Sequence, residues 1–292
     1  MLEYMFVLLF GYIARMLPLS LALSVGSALG DFVFYGVRVR RKIVLKNLRT
    51  AFDAEKSEEE IRRIARATYR NLGRILVEVS RFPVLRRQNG LTEQVRIAHP
   101  EVMERMKRKG KGVVLVSGHF GNWEMLGATV ARWGEFNVLA LTQKNRRVDR
   151  LLNDYRGSMG VRPIPLGASV KVILQTLNRG EWVGFLSDQD AGQEGMFVDF
   201  FGVPSSTPPG PAAVALKRKI PLVMALIVRE KGGRHRAVFE QIWDGEEQGQ
   251  TVWSLTQAYT KRLESYIRKH PDHWFWLHRR WKSTDFLKDK RL

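Results

Sequence analysis

Cysteine is absent from all 292 residues, which excludes a disulfide framework, thiolate zinc sites, iron–sulfur clusters and a cysteine nucleophile. A reducing cytoplasmic setting is compatible with that absence. Acidic residues are scarce: 29 Asp plus Glu stand against 48 Lys plus Arg, a formal charge of +19. Such an excess implies an anionic counterpart, whether nucleic acid, phospholipid headgroups, a phosphorylated substrate or an acidic protein. A G-x-S-x-G nucleophile elbow, a Walker A loop and a G-x-G-x-x-G fingerprint are also missing, so no standard serine-hydrolase, P-loop or dinucleotide signature is present. What is there is a folded composition, 45% hydrophobic and 26% charged, long enough for one α/β unit of about 250 residues with an appendage.

The appendage is the segment 1–37, where only Glu3, Arg15 and Asp31 carry charge. Its two apolar runs, 4–14 and 16–29, are separated by Arg15 and Pro18, and neither reaches the roughly 20 residues that a spanning helix needs. A signal peptide fits poorly, because no basic n-region precedes the apolar run and no small-residue cleavage site ends it. The reading is a membrane anchor over 1–37, either one interrupted or tilted span or two helices in the interface. A buried N-terminal hairpin packed on the domain is the competing account. Arg38, Arg40, Arg41, Lys42, Lys46 and Arg49 follow directly, a cluster suited to anionic headgroups on the cytoplasmic face. Gly26 and Gly30 have a spacing that lets helices pack closely.

Residues 38–292 read as the catalytic domain. Ser57 and Glu60 predict a capping box opening a helix to about Arg81. Strand-like 112–117, 137–142, 161–165 and 182–186 then alternate with helical segments. The fold class is α/β, a central mixed, mostly parallel sheet flanked by helices. The Gly- and Pro-rich stretch 187–211 reads as a long functional loop. It is followed by a short helix, strands near 221–228 and 236–242, and a helix over 252–269.

Three constellations could carry chemistry. The first is Gly118-His119-Phe120-Gly121-Asn122-Trp123-Glu124 at the end of the first buried strand, where ligands gather in open α/β sheets. Five residues apart, His119 and Glu124 share a site only if the histidine lies in the turn and the glutamate in the first helical turns. Gly118 and Gly121 permit that turn. A carboxylate on one ring nitrogen would then leave the other to accept a proton from a hydroxyl. The alternative is a structural histidine followed by an exposed helix-start glutamate. The second constellation is Asp188 and Asp190, which could bind a metal with His119 and His273 or orient the loop. The third is 270–282, rich in tryptophan, histidine and basic residues. It reads either as a nucleic-acid stacking platform or as an aromatic, basic surface at headgroup level; the apolar N-terminus favours the second and argues against nucleic acid.

With these motifs in order, the chain resembles the bacterial lipid A biosynthesis acyltransferases, the late lauroyl or myristoyl transferases within the H-x4-D/E acyltransferase group. The resemblance extends through Asp188-Gln189-Asp190, Phe200-Phe201-Gly202, Thr207, Gly210-Pro211-Ala212 and the segment from His270 to Lys282. It implies transfer of a fatty acyl chain from acyl carrier protein to a hydroxyl of a phosphorylated glucosamine lipid at the inner membrane, without metal or organic cofactor. A neighbouring alternative is an acyltransferase on a lysophospholipid or a glycosylated phosphatidylinositol, for which acyl-CoA could serve as donor. Acyl transfer to an alcohol needs a base and an oxyanion donor. Arg156, 37 residues after His119, matches the family's downstream arginine and is the expected oxyanion donor. Arg146 and Arg147 are expected to bind acceptor phosphates, Asp188 and Asp190 to orient the loop, and Thr207 and Gly210 to shape the backbone over an acyl channel.

Overall fold

The protein is described from a computed structural model covering residues 1–52, 55–88 and 90–284; the last residues of the 38–292 unit, 285–292, lie outside these. Helices α1 (Leu2–Met16), α2 (Leu19–Phe32), α3 (Arg41–Phe52), α4 (Glu58–Ser80), α5 (Phe82–Arg87) and α6 (Leu91–Gln94) precede the sheet. Then come β1 (Val95–Ala98), α7 (Pro100–Lys109), β2 (Val113–Ser117), α8 (Trp123–Val130), β3 (Phe136–Ala140), α9 (Arg146–Ser158), β4 (Val161–Pro165), α10 (Val170–Asn178) and β5 (Trp182–Leu186). The chain continues through β6 (Met196–Phe200), β7 (Val203–Thr207), α11 (Gly210–Arg218), β8 (Leu222–Arg229), β9 (His235–Trp243) and α12 (Val252–Lys269).

Seven strands form one sheet in the order β1-β9-β8-β2-β5-β3-β4. The five from β8 to β4 run parallel, and β9 with β1 runs the other way. This is the expected mixed, mostly parallel sheet. Strand β2 is buried at every position, which is why it reads as an unbroken apolar run rather than an alternating one. Within the stretch expected as a loop, β6 and β7 pair as an antiparallel hairpin, because Val198 and Phe200 supply a buried face under α12.

The capping box of α4 forms as expected: Ser57 Oγ accepts from the Glu60 amide, and the Glu60 carboxylate accepts from the Ser57 amide at 2.9 Å. Helix α4 carries the N-terminal segment on one face. A Cβ on Gly26 would sit 2.6 Å from the Gly73 carbonyl oxygen, and one on Gly73 would sit 1.9 Å from that of Gly26. The α2 and α4 backbones therefore touch at the glycine stripe noted in the sequence. Polar contacts close the seam. Asp31 takes both arms of Arg66 at 2.8 Å, Arg74 donates to Ser27 Oγ at 2.7 Å, and Arg81 donates to the carbonyls of Ala14 and Leu17 at the α1–α2 break. The opposite face stays uncovered, with Met5, Phe6, Leu9, Tyr12, Leu21 and Phe32 each at least half exposed. Residues 19–37 form a helix long and apolar enough to cross a membrane, with mean hydropathy 1.4.

Candidate active site

Strands β2 and β5 are neighbours with Ser117 opposite Leu186, so the residues two beyond each, His119 and Asp188, emerge side by side at the carboxyl edge. The His119 amide donates to Asp188 Oδ2 at 2.7 Å, and Nδ1 lies 2.8 Å from Oδ1. Asp188 is buried and also accepts from Trp274 Nε1 at 2.7 Å. Burial alone would raise its carboxyl, yet the His119 imidazole and these donors hold it below the ordinary value. The ionised carboxylate requires a proton on Nδ1, which leaves the Nε2 lone pair free. Burial likewise pushes the imidazole down, but Asp188 and then Glu124 outweigh it and hold His119 above its usual 6.5.

The turn that delivers the histidine depends on Gly121. Its φ is +58°, and a Cβ there would lie 2.0 Å from the Ile227 carbonyl oxygen, so no side chain fits. The Gly121 amide donates to the His273 carbonyl, and the Phe275 amide to that of His119, both at 2.9 Å. Asn122 then caps α8 by accepting from the Met125 amide at 3.0 Å, which puts Glu124 in the first helical turn, where the spacing argument required it.

The ring's hydrogen-bonded carboxylate is thus Asp188, whereas the sequence reasoning offered Glu124 for that place. Glu124 instead grips Arg156 through two bonds of 2.9 and 2.6 Å, and its charge still acts on His119. This bidentate pair is largely buried, with side-chain exposures of 12% and 13%. Arg156 also donates to Asn153 Oδ1 at 3.1 Å. Of the five guanidinium N–H groups, these bonds engage three. Burial lowers the Arg156 guanidinium and Glu124 more than restores it.

The remaining candidates are more scattered. Arg146 and Arg147 lie exposed at the start of α9, Arg147 over the Tyr4 ring. Asp190 accepts from Ser283 Oγ at 2.8 Å and from the Gly192 amide at 3.3 Å, while its own amide donates to His278 Nε2 at 3.0 Å. Thr207 Oγ1 accepts from Arg280 at 2.5 Å. Gly210 starts α11, and a Cβ there would meet nothing nearer than 4.0 Å, so space alone does not demand glycine. Among the described residues no three His, Asp or Glu side chains converge as metal ligands.

The third constellation needs correcting. Trp274, Trp276 and Arg280 are fully buried rather than displayed on a surface. The two tryptophan rings meet edge to face at 4.6 Å, and Phe200 and Phe52 close around them. Aromatic rings meeting edge to face stabilise one another beyond the apolar area they bury. Arg280 reaches the Ser206 carbonyl and Thr207, and burial pushes its guanidinium down to about 10 against the pull of Asp188 and Asp190.

Comparison with known proteins gives this geometry its context. A family model described as bacterial lipid A biosynthesis acyltransferase matches residues 1–283. The chain belongs to that family. It is 25% identical over 274 residues to the lipid A biosynthesis palmitoleoyltransferase of Escherichia coli K12, covering 91% of this chain and 87% of that protein. It is 25% identical over 271 residues to the lauroyltransferase of the same organism, with the same coverage. A phosphatidylinositol mannoside acyltransferase of Mycobacterium tuberculosis H37Rv is 28% identical over 221 residues, 74% of this chain and 69% of that protein. This family member is accordingly a lipid O-acyltransferase.

A buried cluster behind its candidate site escaped the sequence reasoning. Glu78, on α4, accepts from Asn122 Nδ2 at 2.8 Å, from His235 Nε2 at 3.0 Å and from both arms of Arg229. Burial raises the Glu78 carboxyl, but Arg229 and His235 overcome this and bring it down to about 2. Charged residues at buried positions, Glu78 in a helix and Arg229 ending an apolar strand, were the available signal.

Proposed function

We propose that the enzyme transfers a fatty acyl chain from an acyl carrier protein thioester to a hydroxyl of a phosphorylated glucosamine lipid, a lipid A precursor, at the cytoplasmic face of the inner membrane. The observation that carries the reading is His119, with Nδ1 held by buried Asp188 and the ring within electrostatic reach of Glu124, which grips Arg156. Nε2 takes the proton of the acceptor hydroxyl as its oxygen attacks the thioester carbonyl. Asp188 fixes the tautomer and stabilises the imidazolium that forms. Arg156, oriented by Glu124, offers its remaining N–H groups to the developing oxyanion. Collapse breaks the carbon–sulfur bond, and the imidazolium proton goes to the departing thiolate, leaving an ester and a free thiol.

The segment 1–37 serves as the membrane contact, with 38–292 as the catalytic unit. Helix α2 runs along α4, whose Arg63, Arg66 and Arg70 would be costly inside hydrocarbon. That pairing supports helices lying in the interface, apolar face toward the lipid, over a span leaving the domain. The basic cluster after it, with Arg38, Lys42 and Lys46 exposed, suits anionic headgroups.

The test uses the purified full chain in mixed micelles with two acceptors, a phosphorylated glucosamine lipid and a mannosylated phosphatidylinositol, and two donors, acyl carrier protein thioester and acyl-CoA. Mass spectrometry reads the product. One added acyl ester on the glucosamine lipid, formed faster from the carrier thioester, is expected. Acylation of the mannosylated lipid alone would overturn the acceptor assignment, and equal use of acyl-CoA would overturn the donor assignment.

A further inference from the structure

A second apolar surface lies at the carboxyl edge, away from the N-terminal helices in sequence but joined to them in space. Leu141 follows β3, Leu166 follows β4, and Val170 and Val172 open α10; their exposures are 66%, 59%, 56% and 41%. Single exposed apolar residues need no explanation. Here, however, two of them are on adjoining loops, because the Leu166 amide donates to the Ala140 carbonyl at 2.8 Å. In the same elements Ile164, Ile173 and Leu177 supply the buried face, so the core does not require the exposed four.

Continuity and charge identify what covers this rim. The loop from Leu141 to α9 meets the start of α1: Asn145 Nδ2 donates to Glu3 Oε2 at 2.8 Å, and Arg147 sits over Tyr4. The rim therefore runs into the helix that exposes Met5, Phe6 and Leu9. Across 141–150 and 166–172, Lys144, Arg146, Arg147, Arg150 and Lys171 stand against the single acid Asp149, which is engaged by the Gln143 amide and Asn153. Apolar tips set among exposed cations match a leaflet with anionic headgroups over acyl chains. Because β2 and β5 run parallel to β3 and β4, His119 and Asp188 leave the sheet at this same edge.

We propose that the rim formed by Leu141, Leu166, Val170 and Val172 is a second bilayer contact, inserting into an anionic leaflet beside the N-terminal helices and holding the mouth of the His119 site at headgroup level. The proposal rests on membrane attachment through 1–37 and goes beyond it by fixing the protein's attitude on the surface.

The absence of native cysteine makes the test clean. Leu166→Cys, Phe6→Cys and Lys111→Cys, the last exposed at the opposite edge of the sheet, each carry one nitrobenzoxadiazole label in the otherwise full chain. They are mixed with phosphatidylcholine vesicles with or without phosphatidylglycerol. The labels at 166 and 6 are expected to shift to the blue and be quenched by lipid-borne quenchers, more so with phosphatidylglycerol, while the label at 111 stays in water. The triple variant Leu141→Ser, Leu166→Ser, Val170→Ser should bind vesicles roughly tenfold or more weakly. A lipid-embedded label at 6 with a water-exposed label at 166 would overturn the rim and leave the N-terminal attachment standing; exposure at both would overturn the two together. Unchanged vesicle binding by the triple variant, with impaired use of a carrier-protein thioester, would make the rim a protein-docking surface and refute the proposal.

Discussion

Replacing His119 with alanine in the full-length enzyme is expected to lower kcat by roughly 10²-fold or more, the usual scale for losing a general base, in a protein that remains folded at assay temperature. Asp188→Asn should cost on the same order or more, since it keeps the shape of the contact but removes the charge that stabilises the imidazolium. The two variants differ in their pH dependence. Catalysis needs neutral imidazole, so wild-type kcat/KM should rise with pH through an inflection above the ordinary histidine value of 6.5. Without the Asp188 charge the inflection should move down. Glu124→Gln should also lose turnover, through the Arg156 it no longer orients, and combining it with Arg156→Lys should cost less than the sum of the two. Near-normal turnover by His119→Ala would remove the mechanism, and an unmoved inflection in Asp188→Asn would remove Asp188 from it.

The second large effect is on stability. Glu78→Gln leaves the Arg229 guanidinium buried without its counter-charge, a change that costs about 3–5 kcal/mol when one partner of a buried pair is removed, on the order of 10 °C in Tm. Glu78→Gln with Arg229→Met, which removes both charges, should recover much of that loss. The Glu78 carboxyl is held at about 2 in the folded protein against an ordinary 4.5. Its contribution is therefore complete above about pH 4.5 and drains away as pH falls toward 2. Because Glu78 also holds the cap of α8, the single variant should lose activity at temperatures where it remains folded. A Tm matching wild type in calorimetry would show that the ionic contacts do not hold this region.

The histidine turn was legible because its determinants are local: an apolar run, a glycine with positive φ, an N-cap and a carboxylate within seven residues. The capping box of α4 and the helix–strand alternation were readable for the same reason. Asp188 as the partner of His119 was not, since the contact arises from β2 and β5 being sheet neighbours although two other strands separate them in sequence. Residue spacing carries no trace of that adjacency. The Trp274 to Trp281 segment failed differently. Alternating aromatic and basic residues describe a wetted surface as well as a ring cluster penetrated by one buried arginine, and only the surroundings, Phe52 from α3 and Phe200 from β6, decide between them.

The bare backbone contact between Gly26 and Gly73 makes the N-terminal segment a clasp rather than a leash. A tethered domain would sweep a hemisphere above its anchor and meet substrates at any height and angle. With α2 locked to α4 there is no hinge at this seam, so the apolar face and the His119 turn tilt together, and reach is exchanged for aim. Such an enzyme gains nothing from a longer linker. On the proposed membrane contact, its encounters would be restricted to molecules that already lie in the plane it touches.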